Sequence, residues 1–205
     1  MVSKSSFIAF ICVWLSCVAP THAQILELSE LDTARMYTRL DQALANPDVV
    51  LRLDLSRQKL QAFPMEIFQL SQLQELRLNK CRLSDLPDEF FLLPDLQILQ
   101  CQHNELDTIP SSIFQLSSLK VLDFADNLIE IVPDEITQLS ALETLALWDN
   151  PITYYAEGLS EMQRLKVLDV LNNAMSRETQ ERLKTSLPNC KIIMSPPCAC
   201  MDGEE

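Results

Sequence analysis

A chain of 205 residues with 47% hydrophobic content has the length for one or two domains and enough apolar material to bury a core, which excludes an intrinsically disordered chain. Its two glycines leave no room for the loops that bring backbone against phosphate, so phosphate-cradling and dinucleotide-binding enzymes are excluded as well. A formal net charge of -13 disfavours nucleic acid and anionic membrane surfaces, which Lys and Arg must bind, and favours a protein partner with basic patches.

Residues 1–23 read as a signal peptide: Lys4 supplies positive charge, Phe7 to Val18 an apolar run, and Thr21-His22-Ala23 a small residue before a cut that would leave Gln24 first. That run is roughly half of the ~20 residues a bilayer span requires, so no membrane span is expected. Cys17, preceded by Leu15-Ser16, permits a lipid anchor as the weaker alternative, because Trp14 stands where such signals carry an aliphatic residue. The expected location is secreted, or periplasmic and cell-envelope. Residues 24–49 are expected to form an N-terminal capping helix, with Leu31, Met36, Leu40 and Leu44 at near-helical spacing after Ser29.

From residue 50 a single pattern returns at a fixed period. Val50, Leu73, Leu96, Leu119, Leu142 and Leu165 are each 23 residues apart and open six turns spanning 50–175. Within a turn, positions 1, 4, 6 and 11 are apolar, as in Leu119, Leu122, Phe124 and Ile129. Position 9 carries Asn104, Asn127, Asn150 and Asn173, with Gln58 and Cys81 in the first two turns. Alternating apolar residues around positions 3 to 7 predict one short strand per turn, and stacked strands make a parallel sheet. An inward Asn where the chain leaves that sheet can satisfy amides of neighbouring turns, so the Asn column is structural. Pro64, Pro87, Pro110 and Pro133 at position 15 start short helical return legs, whose positions 18 and 21 cover the convex side of the core. Phe68, Phe91 and Phe114 at position 19 suggest a stacked convex column.

These turns resemble the leucine-rich-repeat family in its 23-residue form, Leu-x-x-Leu-x-Leu-x-x-Asn-x-Leu-x-x-Leu-Pro-x-x-Ile-x-x-Leu, and Ala43-Leu44-Ala45-Asn46-Pro47-Asp48 before the first turn is similar to the start of many bacterial exported members. The resemblance implies an α/β solenoid with a parallel concave sheet, helices or 3-10 turns on the convex face, and helical caps. Residues 176–194 are expected to form the C-terminal cap, a helix after Ser176 followed by a strand over Cys190 to Met194, and residues 195–205 a flexible acidic tail.

The concave face is where repeat proteins usually bind, and it is formed by positions 3, 5, 7 and 8. Turns one and two place Arg52, Arg57, Arg77 and Lys80 there, turn three His103, and turns four to six Asp123, Asp126, Asp149 and Asp169. Val121 lies in the same face, and Trp148 and Leu171 are expected to be surface neighbours. An outward Trp wastes apolar area in a free monomer, which makes Trp148 the expected anchor of a partner site. Ordinary surface packing of Trp148, and a merely solubilising role for the acids, are the alternatives.

Catalysis is not expected. His22 lies in the signal, and His103 has no nucleophile motif beside it. A pair such as Asp126 and Asp149 on an open sheet lacks the desolvation a glycosidase acid needs. No cofactor or metal is expected: Cys198 and Cys200 form only a Cys-x-Cys, short of four zinc ligands. A disulfide from Cys190 to Cys198 or Cys200 is open. The reading is a protein-binding module outside the cytoplasm. The alternatives are a regulatory or targeting subunit of an enzyme complex and a self-associating structural envelope protein.

Overall fold

The computed structural model describes residues 24–60 and 62–197; the expected signal peptide with Cys17, and the tail from Cys198 through Cys200 onward, lie outside them. Ten strands are found among the described residues: β1 (Met36–Tyr37), β2 (Arg52–Asp54), β3 (Glu75–Arg77), β4 (Ile98–Gln100), β5 (Val121–Asp123), β6 (Ile131–Val132), β7 (Thr144–Ala146), β8 (Tyr154–Tyr155), β9 (Val167–Val170) and β10 (Lys191–Met194). Eight form one sheet in the order β1-β2-β3-β4-β5-β7-β9-β10, and β6 pairs with β8 separately. Every pair is parallel, and the register is the sequence period itself: Leu53, Leu76, Leu99, Leu122, Leu145 and Leu168 are successive partners. The α/β solenoid implied by the sequence is the architecture found.

Each turn buries the residues its pattern assigns to the core. In turns two to six all residues at positions 1, 4, 6 and 11 are buried, and each fully buried leucine contributes roughly 1.5–3 kcal/mol of transfer free energy. The return legs are 3-10 helices over Met65–Gln69, Phe90–Leu92, Ser111–Gln115, Asp134–Gln138 and Glu157–Glu161. Pro64, Pro110 and Pro133 immediately precede three of them, and their carbonyls accept the N–H of Ile67, Ile113 and Ile136 at 3.1 Å. Proline's fixed φ sets the entry angle without surrendering a donor the turn would use. The phenylalanine column does not stack as expected. Phe68 packs on Phe63 and Phe90, with centroids 5.3 and 5.7 Å away, and Phe114 is buried, but Phe91 is exposed because Phe90 fills the core place in its turn.

The Asn column does what its position requires. Asn127 donates through Nδ2 to the carbonyls of Cys101 (3.0 Å), Phe124 (2.9 Å) and Ala125 (3.1 Å), and its Oδ1 accepts the N–H of Leu106 at 3.1 Å. Asn104 and Asn150 repeat this bridge between neighbouring turns. Cys81 keeps half of it, its thiol donating to the Leu55 carbonyl at 3.2 Å. Gln58 is one methylene too long and reaches outward to the Thr38 carbonyl instead.

The residue before each ladder position adopts a left-handed backbone: Arg57, Lys80, His103, Asp126, Asp149 and Asn172 have φ between 51 and 65. That conformation turns the chain out of the sheet and aims its N–H at the carbonyl of the next turn, as from Asp126 to Trp148 at 2.7 Å. Asn, Asp and His tolerate it best among residues with a Cβ.

Both caps differ from expectation in detail. In place of one helix over 24–49 there are two short ones, α1 (Leu28–Leu31) and α2 (Leu40–Leu44), with Met36 and Tyr37 of β1 between them. The reason is tertiary: β2 would otherwise leave an edge of unpaired amides, and β1 covers it through Met36 opposite Arg52. At the other end α3 (Arg177–Ser186) starts where the sequence indicates, Ser176 Oγ accepting the Thr179 N–H at 3.1 Å. β10 then pairs with β9. Ser195, assigned to the flexible tail, is held: its hydroxyl accepts the Asn172 N–H at 2.9 Å, where a further turn would supply a carbonyl, and its own carbonyl accepts from Gln180 at 3.1 Å.

Two outcomes follow for stability. Asn127→Ala orphans one buried N–H and its facing carbonyls and is expected to cost about 2–4 kcal/mol, each such group costing ~1–3 kcal/mol; urea unfolding showing a loss under about 1 kcal/mol would contradict the ladder's role. Arg57→Asn relieves a left-handed backbone at an exposed side chain. Calorimetry should show a gain of about 0.5–1 kcal/mol, and a loss would show that the arginine is not strained there.

Candidate functional site

Alternation along the short strands sends positions 3 and 5 to the concave face, but the two ends of that face differ in what they leave free. Glu75, at position 3 of turn two, is fully buried. It sits between Arg52 Nε at 2.5 Å and an Arg77 guanidinium nitrogen at 2.5 Å. Arg52 is also buried and donates to the carbonyls of Asp32 (2.7 Å) and Ala34 (3.2 Å), which fastens the first strand to the N-terminal cap. A carboxylate without solvent requires such partners. The basic end expected of turns one and two is therefore smaller than the sequence suggests: Arg77 is committed to Glu75, and Arg57 and Lys80 remain exposed.

The acidic column divides in the same way. Asp54, Asp123 and Asp169 at position 5 each accept the N–H two residues on, from Ser56 (2.8 Å), Ala125 (3.3 Å) and Leu171 (3.2 Å), a local turn that Asp side chains favour. Asp123 also accepts from the Gln102 side-chain amide and is only 6% exposed. Burial pushes its carboxyl above the ordinary carboxylate value, and the Gln102 and Ala125 hydrogen bonds oppose that rise. Asp123 is thus occupied within the fold. Asp126 meets His103 Nδ1 through Oδ2, and Asp149 is exposed. The left-handed backbone accounts for an Asp at either place.

Trp148 has a partner that its repeat position does not announce. Its ring meets His103 edge to face, with centroids 5.7 Å apart and planes at 79°. This contact bridges turns five and three across turn four, where Ala125 at the position matching Trp148 is wholly buried. Ala125 is the smallest residue at that position in the six turns. Leu171, the anticipated neighbour, is 39% exposed. Beside this platform Ile98, Val121, Thr144 and Val167 form a half-buried β-branched row at position 3. Sequence reasoning singled out Val121 alone, although the other three share its position in successive turns.

The structure brings His103, Asp126 and Trp148 into one cluster; Asp149 and Leu171 are exposed and Val121 is half-buried. Arg77 and Lys80 belong to turn two, three turns before Trp148. Near them an open depression of about 510 Å³ is lined by residues including Asp54, Asn79, Lys80 and His103. Burial pushes the thiols of Cys81, Cys101 and Cys190 up, away from nucleophilic reactivity. Among the described residues no cluster of three or more His, Cys, Asp or Glu is placed to hold a metal, and no helix is long and apolar enough to cross a membrane.

Comparison with known structures places this geometry among relatives. The chain is similar to a leucine-rich-repeat protein of Leptospira interrogans, with 26% identity and a TM-score of 0.52 over 78% of this chain and 58% of that one. It is similar to internalin C2 of Listeria monocytogenes, with 24% identity and a TM-score of 0.65 over 77% and 66%. A chain of the LRIM1/APL1C complex matches at 24% identity and a TM-score of 0.60 over 69% and 26%. The chain spans less than two thirds of the length of each of these. No curated protein matches it. The family model described as leucine-rich repeat region matches residues 37–201. On that match and this solenoid, the chain belongs to the leucine-rich-repeat family.

Proposed function

We propose that the chain is a protein-binding module acting outside the cytoplasm, without catalysis of its own, and that it takes a basic, partly apolar partner on the concave face of turns three to six. The observation that carries this reading is the half-exposed Trp148 lying on His103, with a β-branched row on one side and the exposed carboxylate of Asp149 on the other. Trp is enriched among residues that dominate binding energy, especially where packing has already fixed its orientation. A basic partner fits an exposed acid, and the net charge of -13 would steer its approach. The family and its fold neighbours, one of them solved within a complex, support a protein as the ligand.

Location outside the cytoplasm rests on the apolar N-terminal run and the small residue at Ala23. Mass spectrometry of the protein recovered from the native organism is expected to find an N-terminus near Gln24; a chain still starting at Met1 would contradict export by cleavage, and a diacylated Cys17 would identify a lipoprotein.

Crosslinking pull-down from the native envelope and medium supplies the partner, and calorimetry then measures it. Trp148→Ala is expected to weaken binding by at least about 30-fold, the equivalent of a ~2 kcal/mol hot spot. Asp149→Lys should weaken it further at low salt than at high salt. If both variants bind within a factor of about two of the parent, the partner does not use this site.

A further inference from the structure

Beyond the ladder position the chain shows a second exposed surface, the edge of turns three to five at positions 10 to 15. In turns four and five its alternation is that of a strand. Val132 of β6 and Tyr155 of β8 are buried, so their neighbours Ile131 and Tyr154, which are register partners, project outward at 55% and 45% exposure. Leu128, at position 10 of turn four, is 54% exposed. Three large apolar side chains on one edge of two adjacent turns exceed the singly scattered ones that a free surface ordinarily carries.

The acids of this edge do nothing for the fold. Asp107 and Glu130 hold position 12 in turns three and four. Both are exposed, and neither side chain forms an ion pair or a hydrogen bond among the described residues. Positions 8 to 13 of turns three to five contain no Lys or Arg to neutralise them. Like charges at matching places of neighbouring strands destabilise the pair, in contrast to Glu75 and Asp123, whose partners tie turns together.

Between the same two turns opens a depression of about 450 Å³, lined by Asp107, Thr108, Ile109, Glu130, Ile131 and Pro133. Its lining joins two isoleucines and a proline to two unpaired carboxylates. A side chain with an apolar stem and a cationic tip answers both, and that is the chemistry of Arg and Lys. A neutral apolar occupant would desolvate the carboxylates without compensation, and an acidic one would be repelled. Charge therefore excludes the chain's own segment beyond residue 197, which carries Asp202, Glu204 and Glu205 and no Lys or Arg.

We infer that this edge is a second docking surface, taking a protein segment whose Arg or Lys enters the depression lined by Asp107 and Glu130 while adjoining apolar side chains cover Ile131, Tyr154 and Leu128. It uses none of the concave residues around Trp148, so either surface can bind without the other.

NMR titration of the isotope-labelled full chain with capped pentapeptides tests it. Leu-Arg-Tyr-Lys-Leu is expected to give saturable shifts at the amides of Asp107, Thr108, Ile109, Glu130 and Ile131, with a dissociation constant of about 1 mM or below. Leu-Glu-Tyr-Glu-Leu, which reverses the charges, and Ser-Arg-Ser-Lys-Ser, which removes the apolar groups, should each bind at least about tenfold more weakly. Asp107→Lys with Glu130→Lys should weaken the first peptide at least about tenfold, whereas Trp148→Ala with Asp149→Lys should leave it within a factor of about two. The edge side chains are exposed, so circular dichroism should show an unchanged fold; should the double variant misfold, Thr108→Arg, which brings its own cation to the depression, carries the same test. Absence of a saturable shift up to about 10 mM, shifts confined to residues 144–149, or binding of either altered peptide as tight as the first overturns the proposal. Sedimentation showing that the parent chain self-associates and that Glu130→Lys abolishes this also overturns it, because a second copy is then the occupant.

Discussion

Every turn of this solenoid must bring its main chain back to hydrogen-bonding distance of the turn before it, and where the chain bends out of the sheet the strand ladder no longer provides partners. The buried Asn at position 9 meets that constraint, with one oxygen for the amides of the preceding turn and two protons for carbonyls of both turns. Much else follows from it. The amide must be aimed inward, so the preceding residue turns left-handed, and so His103, Asp126, Asp149 and Asn172 occupy position 8 in the last four turns. Acids on the concave rim are thereby first a backbone solution, and only those left without a partner, such as Asp149, are available to another molecule.

The ends show the same constraint where repetition stops. At the start no Asn bridges turn one to a predecessor, and the fold substitutes β1, the Gln58 contact with Thr38 and the Arg52 contacts with Asp32 and Ala34. At the finish the Ser195 hydroxyl accepts the Asn172 amide 23 residues before it, as if one more period had been written into the chain after the helix. Burial of Glu75 belongs to this sealing. The cost of desolvating one carboxylate is offset by two arginines, and the geometry fixes the first strands in register.

The core was legible because six copies of one period leave a single consistent assignment of inside and outside, and the buried positions follow it turn by turn. What escaped were places where a neighbour, and not the period, decides. Alternation alone sends Glu75 outward; the readable warning was an acid with Arg52 23 residues before it and Arg77 two after it, all destined for one face. Leu31, Met36, Leu40 and Leu44 do have helical spacing, yet the open edge of β2 required a strand at Met36. Trp148 meets His103 two turns back, across Ala125, the smallest residue in its row, a contact that the repeat pattern alone does not announce. Leu128, Ile131 and Tyr154 lie at positions 10 and 13, which belong to neither core nor concave face, so attention to those two sets passed over them.

Holding Trp148 in advance also bears on how the face can bind. An indole free to rotate would lose that freedom on contact, and immobilising such a side chain costs about 0.5–1.5 kcal/mol. Here the ring is already stacked edge to face on an imidazole that is itself tied to Asp126, which in turn is positioned by its backbone bond to the Trp148 carbonyl. The loop of contacts closes on itself: the tryptophan's own main chain orients the acid that orients the histidine beneath its ring. Loss of His103 would therefore leave the fold's ladder intact while releasing the indole, separating the affinity due to apolar area from the affinity due to its fixed orientation.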